Sequence, residues 1–238
     1  FPFCGNRFEF RAVGSSQNCS FPIAMCNTIM ASGMAALSEL IEGGMSKRDA
    51  VAKLYKDNRH VIFTGNGYSA EWPKEAEKRG LPNLHNTPLA VAQFNSAKNK
   101  ALFSKMKIFS EEECDARAEI MFENYVTTLS VEANTLVDMV ETGILPACSA
   151  DMATYATLPA LAGERMQVYS GIKEEIDKLK ALLNSKPHDV REEATFYCDT
   201  IKPQMLAVRA LVDKAEGLLE TGLYPFPSYE TMLYSHHS

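Results

Sequence analysis

The chain has 238 residues, 46% of them hydrophobic and 23% charged, with a formal net charge of −6. This is ordinary globular composition, and the acidic balance argues against a broad nucleic-acid-binding surface. No apolar run reads as approaching the roughly 20 residues of a bilayer span, so no membrane partner is expected.

The length fits one large domain or two modest ones. The first residue is Phe1 and no basic segment precedes an apolar stretch, so the chain is expected to start inside a longer gene product. Six cysteines (Cys4, Cys19, Cys26, Cys114, Cys148, Cys198) form no C-x-x-C pair. They read as reduced, core-filling thiols of a cytoplasmic protein, and structural zinc is not expected.

In chain order, Phe8 and Phe10 alternate with Arg7, Glu9 and Arg11, which predicts a strand with aromatics on one face and charges on the other. Gly14-Ser15-Ser16 breaks it. From Pro22 to about Glu42 an Ala- and Met-rich stretch predicts a largely buried helix, stopped by Gly43-Gly44. Ser46 is expected to cap a helix through about Asp57.

Thr64-Gly65-Asn66-Gly67 predicts a turn, and Ser69 the N-cap of a short helix carrying Trp72 and ending near Gly80. Thr87-Pro88 reads as an N-cap followed by proline at the first helical position. Ser110-Glu111-Glu112-Glu113 is a capping box. Ala118, Phe122, Tyr125, Leu129, Ala133, Leu136 and Val140 then predict one long helix to about Glu141, ended by Gly143 and Pro146.

Two further stripes are equally regular. One runs from Met166 to Leu183 and the other from Val190 to Leu219. Asn184-Ser185-Lys186-Pro187 joins them tightly, so they should be antiparallel neighbours. Pro203 predicts a kink near Asp199. The three stripes together predict a helical bundle from about residue 110.

The sharpest chemical pattern is Arg7-x-Glu9-x-Arg11. Alternation places both guanidinium groups and the carboxylate on one strand face. A carboxylate between arginines stays ionised and can ligate a hard divalent cation, while arginine can grip phosphate oxygens. The same spacing also suits a merely solvated charged face. Gly65-Asn66-Gly67 before a helix could hold an anion, but reads better as a tight turn. A carboxylate-bridged di-iron bundle would need Glu-x-x-His pairs, and none of His60, His85, His188, His236 or His237 has Glu three residues before it. Trp72 and the Met-rich helix at 25–34 read as core.

Gly5-Asn6-Arg7-Phe8-Glu9-Phe10-Arg11-Ala12-Val13-Gly14-Ser15-Ser16 resembles the late barrel strand of glutamine synthetase in its type III form. The similarity continues through Asn66-Gly67-Tyr68-Ser69-Ala70-Glu71-Trp72 and Glu75-Ala76-Glu77-Lys78-Arg79-Gly80-Leu81. It reaches Arg117–Tyr125 and Glu132–Met139, and closes at Tyr224-Pro225-Phe226-Pro227-Ser228-Tyr229.

The resemblance implies the end of the α/β catalytic barrel domain over residues 1–110 and an antiparallel helical extension over 111–238. The fold class expected is therefore mainly α with a short β segment at the N-terminus. The resemblance also implies ligation of ammonia to L-glutamate at the expense of ATP, through γ-glutamyl phosphate. Glu9 would ligate Mg2+ or Mn2+, Arg11 would act on the transferring phosphoryl group, and Arg7 would lie near the nucleotide. Full-length members of the family form stacked hexameric rings, so a homo-oligomer is implied.

The family's other metal ligands and most of the barrel have no counterpart here. The chain is accordingly expected to be a fragment, inactive alone. The alternative is a non-catalytic helical assembly or decoy module that docks on complete subunits.

Overall fold

A computed structural model describes residues 2–10, 18–227 and 229–235. The chain is mostly helical, and it divides into two compact units. The first comprises residues 1–83 and 96–114; the second comprises 84–95 and 115–238.

The first unit begins with a small hairpin rather than the expected strand. Gly5, at φ +85, supplies the left-handed residue of a two-residue turn with Asn6. The Cys4 N–H donates to the Arg7 carbonyl at 2.8 Å and the Glu9 N–H to the Pro2 carbonyl at 3.0 Å. Between these bonds Phe3 and Phe8 form an isolated antiparallel bridge, with ring centroids 5.2 Å apart. Among the described residues no longer strand follows, so the expected barrel slice is not seen. Phe8 and Phe10 are exposed, not anchored in a core. Arg11 and the Gly14-Ser15-Ser16 break lie outside the described residues.

Helix α1 (Ser20–Glu42) has the predicted extent but not the predicted burial. Thr28 is its one buried residue, and Ile23, Ile29, Met30 and Met34 are all more than half exposed. It is also long and apolar enough, by length and composition, to cross a membrane, contrary to the reading of the sequence. Asn27, Ser32 and Ser38 interrupt the apolar run but carry no charge.

The Gly43 and Gly44 N–H groups close α1 on its last carbonyls. Ser46 then caps α2 (Lys47–Asp57) by accepting from the Asp49 N–H at 3.2 Å, as expected. Helix α3 (Glu71–Lys78) starts later than expected: its N-cap is Ala70, and Ser69 contributes a carbonyl, not a hydroxyl. Helix α5 (Ala97–Lys105) ties back to α1 through a Lys105–Glu39 pair at 3.6 Å.

In the second unit, helix α4 (Thr87–Phe94) is capped by Asn86, which accepts from the Leu89 N–H at 2.9 Å. Thr87 and Pro88 are thus displaced one position into the helix. Asn ranks above Thr as an N-cap residue, and the Asn86 carboxamide oxygen takes the N–H of the third helical residue, Leu89.

Helix α6 (Glu111–Met139) opens on the predicted capping box, Ser110 and Glu113 exchanging bonds of 3.2 and 2.8 Å. It does not end at Gly143 and Pro146. A π turn over Val140–Ile144 carries the helix directly into α7 (Leu145–Thr154). The same device appears further on, where α9 (Val190–Phe196) passes through a π turn at Tyr197–Ile201 into α10 (Lys202–Leu218).

Both π turns stand two residues before a proline, Pro146 and Pro203. A proline ring collides with the carbonyl four residues back and offers no N–H. Here those carbonyls, of Thr142 and Asp199, lie inside the widened turn, so the helix tolerates the proline instead of stopping. The disturbance predicted near Asp199 is therefore a π turn. Gly143 has a different task from stopping a helix: a Cβ there would lie 3.1 Å from Pro225 and 3.2 Å from Phe226. Its bare backbone admits that segment.

Helix α8 (Arg165–Asn184) packs along α10 as the antiparallel neighbour expected from the short Asn184–Pro187 link. The core of this unit is one cluster. Ala118, Phe122, Val126, Leu129 and Ala133 come from α6, Ile172, Ile176 and Leu179 from α8, and Ala194, Tyr197, Ile201, Val208 and Ala215 from the last helix run. These follow the steps of three and four in the sequence, with Met166 an exposed exception. A last short helix, α11, covers Tyr229–Tyr234.

Candidate functional site

The residues expected to carry chemistry are placed unevenly. Arg7 and Glu9 share one face of the N-terminal hairpin, as alternation required, with Arg7 Nη2 at 3.4 Å from Glu9 Oε1. Arg7 is two-thirds exposed and the Glu9 side chain about one-third exposed. Arg11, the third charge of the pattern, lies outside the described residues. Among the described residues no group of three His, Cys, Asp or Glu side chains could hold a metal ion. One carboxylate alone does not fit Mg2+ or Mn2+, which take about six oxygen ligands.

A better-built cluster lies between residues 60 and 79. The Phe63 and Trp72 rings stack with centroids 4.0 Å apart. The Arg79 guanidinium stands 5.8 and 5.7 Å from the two ring centres. It donates to the Glu75 carboxylate at 2.7 Å and to the Ile62 carbonyl at 2.9 Å. The Arg79 hydrogen bond pulls the Glu75 carboxyl below the usual carboxylate range, against a smaller desolvation effect.

Gly65 lies against the Phe63 ring, where a Cβ would come within 2.5 Å of Cζ. Asn66 accepts from the Tyr68 N–H at 3.0 Å, fixing the predicted turn. A shallow cleft opens here, lined by Asn66, Ser69, Trp72, Lys74 and Lys78 among others. Trp72 is thus half-buried and stacked rather than simply core. The signal for this clamp was present in the sequence as the i, i+4 pair Glu75/Arg79 on the aromatic helix, and it went unread.

The second unit holds the strongest polar network, also missed. Asp151 is fully buried. Its Oδ2 accepts from Arg165 Nε at 3.0 Å and from the Tyr169 hydroxyl at 2.8 Å, and its Oδ1 accepts from the Glu220 N–H at 3.0 Å. Arg165 also donates to the Leu218 carbonyl at 2.5 Å and lies over the Tyr155 ring at 4.8 Å. Burial and the hydrogen bond to Asp151 push the Tyr169 hydroxyl well above the usual phenol range. Three protein donors share the two carboxylate oxygens, so the network fastens the ends of helices α7, α8 and α10 to one another. The partners are 14, 18 and 69 residues from Asp151, so no local pattern announces them.

The six cysteines are all free. Burial, and secondarily the Asp151 carboxylate, push the Cys148 thiol up to about 11. At pH 8 only about 0.1% would be thiolate, the reactive form. A pulse of iodoacetamide should therefore alkylate surface Cys19 first and Cys148 only on unfolding. Peptide mass spectrometry reads both, and early Cys148 alkylation would contradict this packing.

Sequence comparison gives the family. Residues 48–158 match the glutamine synthetase C-terminal domain. The chain is 37% identical to a type-3 glutamine synthetase of Dictyostelium discoideum, over 98% of this chain and 36% of that protein. It is 27% identical to a glutamine synthetase of Bacteroides fragilis and 26% identical to one of Butyrivibrio fibrisolvens, over 99% of this chain in both cases. It spans 36–37% of the length of these relatives. The match to the domain and the match running over nearly the whole chain agree that the chain belongs to the glutamine synthetase family, as a segment of its type III form.

Proposed function

We propose that this chain serves as part of a glutamine synthetase, joining ammonia to L-glutamate with ATP through γ-glutamyl phosphate. The observation that carries the reading is the end-to-end similarity to a type-3 enzyme at 37% identity. Residues 1–110 would then close the catalytic domain, and 111–238 would form a helical extension within a large homo-oligomer in the cytoplasm.

On the hairpin face, Glu9 would supply one ligand of a shared Mg2+ or Mn2+ site. Arg11 would neutralise charge on the transferring phosphoryl group, and Arg7 would lie toward the nucleotide. The partial exposure of Arg7 and Glu9 suits residues that complete a site with groups outside this chain. Phosphoryl transfer depends mainly on positioning and charge neutralisation, which an arginine supplies without covalent chemistry.

The test is glutamine formation with ATP and Mg2+ by two proteins, the 238-residue chain and the longest product of its gene. The longer product should turn over and the isolated chain should not. Turnover by the isolated chain would show that these residues suffice and would refute the shared-site reading.

The second unit, which packs around its own apolar core, also suits a second reading, a helical assembly module that docks on complete subunits. A longest product that assembles with an active synthetase yet makes no glutamine would select it.

A further inference from the structure

The Asn66-Gly67 turn holds a chemistry that the synthetase reaction does not use. It is the one Asn-Gly pair in the sequence. An asparagine side chain ends in an amide carbon that the next residue's backbone nitrogen can reach. Glycine leaves that nitrogen unshielded, because it has no Cβ. The fold decides whether the two groups meet.

Both residues are exposed, and Tyr68 beside them is 87% exposed, so water and hydroxide reach the turn. Among the described residues no acceptor holds the Gly67 N–H, which leaves it open to solvent base. The Tyr68 N–H donates to Asn66 Oδ1 at 3.0 Å. That bond folds the side chain back along its own backbone. It would also stabilise the negative charge that develops on Oδ1 when Cγ is attacked.

We propose that Asn66 is a site of spontaneous modification, at which the side-chain amide is lost and the turn leading to the Phe63–Trp72 stack is rebuilt. The Gly67 nitrogen gives its proton to hydroxide, attacks Asn66 Cγ and forms a C–N bond. The Cγ–Nδ2 bond breaks, and ammonia leaves with a proton from water, closing a cyclic imide. Water opens that ring at either carbonyl, giving aspartate or isoaspartate at position 66. One water enters and one ammonia leaves, and nothing is oxidised or reduced.

Either product puts a new carboxylate into the cleft that Asn66 lines with Trp72, Lys74 and Lys78. Isoaspartate does more, because it routes the backbone through the former side chain and adds a methylene. The Asn66 carbonyl, which accepts from the Ser69 N–H at 3.1 Å, then leaves the main chain. The Ser69 carbonyl in turn accepts from the Trp72 N–H at 3.2 Å, so the change is passed to the stacked rings. Trp72 is the one tryptophan in the sequence, and its emission reports the change directly.

The test is incubation of the 238-residue chain and of the longest product of its gene at pH 8, read by peptide mass spectrometry and by methyl uptake from an isoaspartyl methyltransferase. Both proteins should convert at Asn66 well before Asn95 or Asn184, each of which precedes a serine. The rate should rise with pH, since the attacking nitrogen must lose its proton. Gly67→Ala separates chemistry from folding: a Cβ there meets nothing within 4 Å, and the backbone is not left-handed. That variant should keep its fold while conversion slows on the order of tenfold. An Asn66 that stays intact in either folded protein overturns the proposal; conversion in a urea-unfolded sample alone would mean that the fold protects it. An equal rate in Gly67→Ala, or aspartate as the sole product, overturns the ring-closing route. Unchanged Trp72 emission in a fully converted sample overturns the link to the stack. None of these outcomes depends on whether the longer product makes glutamine.

Discussion

Asp151→Ala should destabilise the second unit by about 3–5 kcal/mol, the range for removing one partner of a buried ion pair. The cost has three sources. Arg165 loses its counter-charge while only about one-fifth exposed, and the Tyr169 hydroxyl and Glu220 N–H lose their acceptor. Each stranded donor costs roughly 1–3 kcal/mol on its own.

The conservative Asp151→Asn keeps the volume and one acceptor oxygen but removes the charge facing Arg165. It should fall between wild type and Asp151→Ala. Urea unfolding followed by far-UV circular dichroism reads both midpoints. A midpoint unchanged in Asp151→Ala would mean that the network contributes nothing and that helix packing alone holds these ends.

Glu9→Gln, made in the longest product of the gene, should lower glutamine formation on the order of 10²–10³-fold, the usual cost of losing one preorganised electrostatic contact. Glutamine matches glutamate in size and can still accept from Arg7, so the hairpin should persist. Loss of activity should therefore come without loss of assembly, as read by sedimentation velocity on the same sample. Full turnover in Glu9→Gln would remove Glu9 from the metal site and leave the Arg7–Glu9 pair as a solvated surface contact.

How much was legible in advance depended on whether the deciding contact was local. The bundle stripes were readable because 3.6-residue periodicity is written into each helix, and Ala118, Phe122, Ile172, Ile176 and Ile201 are buried as their spacing required. The Ser110–Glu113 capping box is equally local and equally correct. Gly143 and Pro146 misled because their usual meaning, a helix stop, gave way to a π turn supported by packing from Pro225 and Phe226, some 80 residues later.

The exposure of α1 shows a different limit. Composition gave the helix and its apolarity, but not what covers it. For the site, alternation put Arg7 and Glu9 on one face correctly. It did not show that the backbone turns at Gly5 and that the aromatic face meets solvent.

The Asp151–Glu220 hydrogen bond has a topological consequence. It links positions 69 residues apart, and so encloses α8, α9, the second π turn and α10 in a ring closed without a covalent bond. Unlike a disulfide, which persists in the unfolded chain and lowers its entropy, this closure exists only in the folded state, so folding itself bears the cost of closing the loop. The ring can open by local fraying at Leu218–Glu220 while the apolar stripes inside it stay packed. Fraying of the last turn of α10 would therefore break the Arg165–Leu218 and Asp151–Glu220 bonds together.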